Sequence, residues 1–231
     1  IFKHNSDGFR TNETLDRTDT NGRDELTLRG KLRFFPDSDT TVDVSLIHAD
    51  LNNGYDAWSR DNSFTTLSDD PGKDSQLSNA ISIKVNSSLN PYYVLSSKTS
   101  LSKTDATYAY DTDWNADIAR SKGTYYNQQD RLSFAQDFRW ISTENSKLFN
   151  KSTDWVAGIY FSNLEEDNDR TERSNNVIYG DTYNTDARSR FMHKKLAIYS
   201  QLDQELTSKT NLNYSIRIEK NQQSLKVDTF K

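Results

Sequence analysis

Cysteine is absent from the 231 residues, which excludes disulfides and thiolate metal sites. No run of about 18 apolar residues occurs, so no helix of this chain can cross a bilayer. A cationic excess is missing as well. The 29 basic residues stand against 34 acidic ones, giving a formal charge of −5 and a pI near 5.3. A general nucleic-acid binder would be basic, so no nucleic-acid partner is expected. Apolar residues make up only 33% of the chain and mean hydropathy is −0.92. Disorder would explain that polarity, but aromatics reach 12%, whereas disordered chains are poor in them.

What is present is alternation. In 25–35, Leu26, Leu28, Leu32 and Phe34 share one parity with Gly30, while Thr27, Arg29, Lys31 and Arg33 share the other. Side chains alternate across a strand, so one face of this segment is apolar and the other cationic. The pattern predicts eight strands, at about 25–35, 40–50, 79–87, 91–102, 129–141, 154–164, 191–204 and 210–220. Each is about the 9–11 residues that a tilted strand needs to cross a bilayer. Pro36-Asp37-Ser38-Asp39 reads as a tight turn. The segments 87–90 and 205–209 are also short and 142–153 is intermediate, whereas 51–78, 103–128 and 165–190 are long. In a meander alternate connections share an end, so the long ones are expected together on one rim. That asymmetry belongs to outer-membrane barrels.

Energetics orients the faces. Arg or Lys facing lipid near the midplane costs about 2–4 kcal/mol each, so Arg29, Lys31 and Arg33 outward would cost roughly 6–12 kcal/mol. That is comparable to the stability of a whole domain. The cationic face should therefore look into an aqueous bore. The fold class expected is all-β, an antiparallel up-and-down meander forming part of a transmembrane β-barrel, about eight strands of a larger one. The alternative is a soluble β-rich sandwich, for instance a surface carbohydrate-binding module, with its apolar residues sealed between two sheets.

Several stretches resemble TonB-dependent receptors of the Gram-negative outer membrane. They are Asp7-Gly8-Phe9-Arg10-Thr11-Asn12, Asp19 to Glu25 leading into Leu28-Arg29-Gly30-Lys31-Leu32-Arg33, and Asn53-Gly54-Tyr55-Asp56-Ala57-Trp58-Ser59. Gln136-Asp137-Phe138-Arg139, Trp155 to Tyr160 and Leu196-Ala197-Ile198-Tyr199-Ser200-Gln201 continue the likeness. The resemblance implies one partial barrel region over residues 1–231, without the plug domain that members carry inside a 22-stranded barrel. The opening Ile1-Phe2-Lys3 likewise reads as part of a longer chain. The resemblance also implies localisation in the outer membrane and active import of a scarce nutrient, most simply a ferric siderophore. The implied partners are outer-membrane lipid and TonB, the latter through the plug of the parent. A stripe of apolar side chains cut from its barrel also predicts self-association.

Flat aromatic rings in the long connections could stack on a catecholate or sugar. The residues expected to face ligand are Tyr55, Trp58, Tyr108, Tyr110, Trp114, Tyr125, Tyr126, Tyr179 and Tyr183, with Arg120 for an anionic chelate. Arg60, Arg170, Arg173, Arg188 and Arg190 are interspersed among them. Phe64 also lies in the first loop. Asp111, Asp113, Asn115 and Asp117 have the every-second-residue spacing of a calcium loop. An EF-hand is excluded, because Ala116 stands where Gly is needed and Lys122 where the bidentate Glu belongs. A looser calcium site or a solvated loop are the readings that remain, and no resident metal or cofactor is expected. His4, His48 and His193 are too dispersed to form a ligand pair. No nucleophile elbow, phosphate loop or dinucleotide fingerprint occurs, and Glu165-Glu166-Asp167 reads as a solvated strand end. An enzyme is not expected.

Overall fold

The computed structural model describes residues 1–59, 61–117, 120–177 and 180–230. Its strands are β1 (Phe2–Ser6), β2 (Thr11–Asn12), β3 (Arg23–Phe34), β4 (Thr40–Tyr55), β5 (Thr65–Thr66) and β6 (Gly72–Asn90). They continue as β7 (Tyr93–Asp111), β8 (Ser121–Ser142), β9 (Thr153–Asn176), β10 (Asp181–Thr207) and β11 (Thr210–Phe230). Nine of them form one antiparallel sheet in the order β1-β3-β4-β6-β7-β8-β9-β10-β11. Every neighbour in that order is also the next long strand in sequence, which makes the sheet a meander. The sheet is open, with β1 and β11 at its edges. β2 and β5 form a small separate parallel pair.

All eight expected strands are present, but they run much further than their apolar pattern. β8 has 22 residues, β9 has 24 and β10 has 27. Each is at least twice the 9–11 residues that a tilted strand needs to span a bilayer. The stretches 103–128 and 165–190, expected as long connections, are largely strand. Only 112–120 and 177–180 remain between them. The reason is physical. Period-two hydropathy marks a strand only where one face is apolar. Beyond that belt neither face keeps the alternation, and the strand is held by its backbone ladder and by particular side-chain pairs. The β1 pairing, Phe2 with Thr27 through Ser6 with Arg23, was not visible in the sequence pattern either.

Register carries the parity across the whole sheet. Phe34, Val42 and Val85 lie in one row, and Phe138, Ile159, Ile198 and Ile218 continue it beyond Ser97. One row away, Thr99 and Gln136 sit between Ile83 and Phe161. Their polarity is satisfied within the face: Thr99 Oγ1 donates to Gln136 Oε1 at 2.5 Å, and Gln136 Nε2 donates to Ser97 Oγ at 3.0 Å. The opposite face is charged and paired. Arg33 bonds Asp43 at 2.5 Å, Arg131 bonds Glu166 at 2.6 Å, and Glu219 takes both Arg217 and Lys195. There the Tyr199 ring lies over Gly158, whose missing Cβ leaves it room, and its hydroxyl donates to Asp137 at 2.6 Å.

No second sheet packs on the first among the described residues. The buried apolar side chains are two alanines, Ala187 and Ala197, while Leu32, Ile216 and Ile218 are more than 60% exposed. A sandwich would bury exactly those leucines and isoleucines. The soluble-sandwich alternative therefore lacks its core.

Candidate functional site

Antiparallel order places the described residues of the connections 7–22, 56–59 with 61–71, 112–117 with 120, and 177 with 180 on one rim, and 35–39, 91–92, 143–152 and 208–209 on the other. The first rim is where the candidate site forms. Two of its loops are latched by a buried polar knot. Asn12 Nδ2 donates to Asp56 Oδ2 at 2.8 Å and to the Ser68 carbonyl at 2.9 Å. Thr66 Oγ1 donates to the same Asp56 oxygen at 2.6 Å, and Asn12 Oδ1 accepts the Leu15 N–H at 2.9 Å. Asn12, Asp56, Thr66 and Ser68 are all fully buried. The β2–β5 pairing, Thr11 with Thr65, is the backbone part of the same latch.

Beside the latch, six of the expected aromatics meet. Tyr110 stacks on Tyr125, its cross-strand partner, with centroids 4.9 Å apart, and on Trp114 at 5.9 Å. Tyr55 meets Tyr108 edge-on at 5.0 Å and also contacts Tyr110 and Trp114. Trp58 reaches Trp114 at 6.2 Å. The strand members Tyr55, Tyr108, Tyr110 and Tyr125 share the parity of the charged face, so the shelf sits at the outer end of that face. Burial raises the hydroxyl pKa values of Tyr108 and Tyr110. For Tyr108, a hydrogen bond and charge coupling with Tyr55 add to it.

Trp114 holds its place through strain. Its φ is +52°, a left-handed value uncommon outside glycine. The Trp114 N–H donates to Asp111 Oδ1 at 3.0 Å, which holds the turn.

The other expected residues stand apart. Tyr126 follows Tyr125 and so points to the opposite face. Tyr183 donates to Glu172 Oε2 at 2.9 Å and, since Glu172 is the cross-strand partner of Tyr125, borders the ring cluster through that carboxylate. Arg120 ion-pairs Asp117 at 3.3 Å. Tyr179 and Arg60 lie outside the described residues. Phe64 packs edge-on against Phe9 at 5.7 Å. The arginines expected for an anion are each engaged: Arg170 with Glu172, Arg173 with Asp186, Arg188 with Asp169 and Arg190 with Asp167. Arg173, Arg188 and Arg190 moreover share the parity of the apolar face. A ligand at this rim would meet aromatic rings before it met a free guanidinium.

Of the calcium-loop residues, Asp111 and Asp113 come together. Asn115 instead accepts the Asp117 N–H at 3.1 Å. The carboxylate that joins the pair is Asp69, from the preceding loop, which no local spacing could reveal. Burial, reinforced by the Asp113 carboxylate, pushes the Asp111 pKa up to about 6. Asp70 is raised too, by burial and then by Asp69 and Asp111.

No family model matches the chain, and no curated protein matches it. Solved structures do. The ferric yersiniabactin uptake receptor FyuA from Yersinia pestis superposes on 98% of this chain with a TM-score of 0.75 and 14% identity. The chain shares its fold with part of that receptor. The ferric citrate transporter FecA, in its unliganded form, superposes on 90% with a TM-score of 0.60 and 11% identity. The chain spans about a third of each, 34% and 31% of their lengths. At this identity the fold is what is shared, and the shared piece is an open stretch of meander.

Proposed function

We propose that the chain is a stretch of wall and outer rim from a TonB-dependent receptor in the outer membrane of a Gram-negative bacterium. Its aromatic shelf takes part in binding a ferric siderophore before import. The observation that carries this reading is the exposed apolar face backed by a charged one, with no core beneath either. Such a sheet is stable only if lipid covers the apolar rows and water fills the space behind the charged rows. The likeness in fold to two uptake proteins supports the same assignment. Residues 1–231 would then act as one region. The plug, TonB contact and coupling to inner-membrane energy would be supplied by other parts of the parent. The chain binds and guides ligand; it does not catalyse.

The shelf suits a flat, electron-rich ligand. Stacked rings offer area at low entropic cost, each pair contributing about 0.5–1.5 kcal/mol beyond simple burial. A ferric catecholate presents such planes and, bound on the shelf, would quench Trp58 and Trp114. The test is fluorescence titration of the detergent-solubilised chain with ferric catecholate, ferric hydroxamate and ferric citrate. Saturable quenching by one of them, weakened in Trp114→Ala, is expected. Failure of all three to quench overturns the ligand assignment. A stable monomer in buffer free of detergent overturns the membrane assignment. With β1 and β11 both unpaired on their outer sides, the chain alone should associate in such buffer, and sedimentation would show it.

A further inference from the structure

Asp111 ends β7 with its side chain fully buried. One oxygen, Oδ1, accepts the backbone N–H groups of Asp113 and Trp114, both at 3.0 Å. The other, Oδ2, is shut from solvent and has no hydrogen bond of ordinary geometry, the Ser68 hydroxyl being the side-chain donor nearest the carboxylate. Both oxygens of Asp113 are in the same condition. Asp69 arrives from the neighbouring loop, and one ligand oxygen from each of the three residues lies within 4.8 Å of the other two. Lys122 approaches this group only through Asp69, at 3.9 Å. Three desolvated carboxylates with so few donors between them repel one another unless a proton or a cation joins them. Around calcium, oxygens on opposite sides stand about 4.6–5.2 Å apart, twice the metal–oxygen bond. The spacing here fits one such ion.

We propose that Asp69, Asp111 and Asp113 bind one hard divalent cation of the calcium class, which ties loop 56–71 to the end of β7 and fixes Trp114. The consequence runs through the backbone. The Asp111 oxygen that holds the strained Trp114 turn belongs to the same carboxylate that would hold the ion. Binding the ion stiffens that carboxylate, and with it the ring that bridges Tyr110, Tyr55 and Trp58. The cation is therefore a brace for the aromatic shelf. Water and nearby carbonyls can complete its coordination, since calcium accepts 6–8 oxygens with loose geometry.

The test needs no siderophore, so it stands or falls separately from the transport reading. The full chain in detergent is stripped with EDTA and titrated with terbium, a calcium substitute excited by nearby indole and phenol rings. Expected is sensitised emission that saturates at one ion per chain and is displaced by calcium chloride. Asp111→Asn and Asp113→Asn should each weaken binding at least about tenfold. Asp61→Asn, on the same loop as Asp69 but outside the cluster, should bind as the parent does. If Asp111→Asn fails to fold, Asp69→Asn replaces it, since that residue sits in a loop and keeps the strand signature in circular dichroism. Absence of saturable emission from the parent chain overturns the proposal. So does unchanged affinity in Asp113→Asn or Asp69→Asn.

Discussion

Along β8 two neighbourhoods of one strand are built on different terms. Between Leu132 and Trp140 every second side chain is apolar save Gln136, and the alternate positions carry Ser133, Ala135, Asp137 and Arg139. Between Ser121 and Gln129 neither face has such a bias, yet the ladders continue there, to β9 from Ser121 and to β7 from Thr124. In the belt, specificity comes from the environment, because a one-residue slip would turn charges toward lipid. In the outer extension a slip has no such penalty. Register there is kept by neighbouring strands already locked below, and by particular side-chain contacts such as Tyr110 on Tyr125 and Tyr183 to Glu172. Polar groups within the belt largely pair locally, as Thr99, Gln136 and Ser97 do and as Asn163 does with Glu165. The rim is made of little else.

This contrast can be broken in order of effect. Ile198→Arg, in the middle of the apolar row, should lose about 2–4 kcal/mol of stability in lipid vesicles, read by denaturant unfolding. Tyr126→Arg stands on the same face above the belt and should change stability by less than about 0.5 kcal/mol. Equal losses would remove the distinction between the two regions. On the charged face, Gly158→Ala forces a methyl into the Tyr199 ring and should cost about 1–3 kcal/mol, with Tyr199→Ala in the same chain relieving the clash. Asn12→Ala leaves Asp56 buried without its amide partner. It should open the latch by about 1–3 kcal/mol, seen as faster amide exchange in 7–22 and 56–71 with the belt unchanged. Uniform acceleration across all strands would mean the rim is not a separate unit.

The smallest effect is one of pH. Burial raises the Tyr108 hydroxyl above its ordinary value of about 10, so the folded rim holds that proton more tightly than the unfolded one. Its contribution is complete below about 10 and is lost as pH rises through the raised value. Tyrosinate absorbance should show a late-titrating phase, shared with Tyr110, whose amplitude falls in Tyr108→Phe. An unchanged amplitude in the variant would falsify the assignment.

Much of the belt was legible beforehand. Leu26 to Phe34 announces a strand, its apolar face and its polar face together, and the other seven patterned segments do the same. The outer halves of β7 to β10 were not legible, because Thr, Ser, Asn and Asp on both faces erase the alternation that marks a strand. β1 was too short to show a period. At the rim the aromatics were found by type, and six of them do converge. Tyr125 and Tyr126 could not be told apart without knowing which parity faces the shelf. Of the arginines expected to hold an anion, Arg173, Arg188 and Arg190 are committed to carboxylates on the adjoining strand, which only register could disclose.

Local composition thus determined that this chain builds a two-faced sheet, because side-chain alternation needs nothing beyond neighbours in sequence. Tertiary structure decided which loops meet. Asp69 joins Asp111 and Asp113, and Asn12 joins Asp56, across separations that no periodic signal spans. The cause is that a meander aligns its rims only after the ladders have fixed every strand against the next.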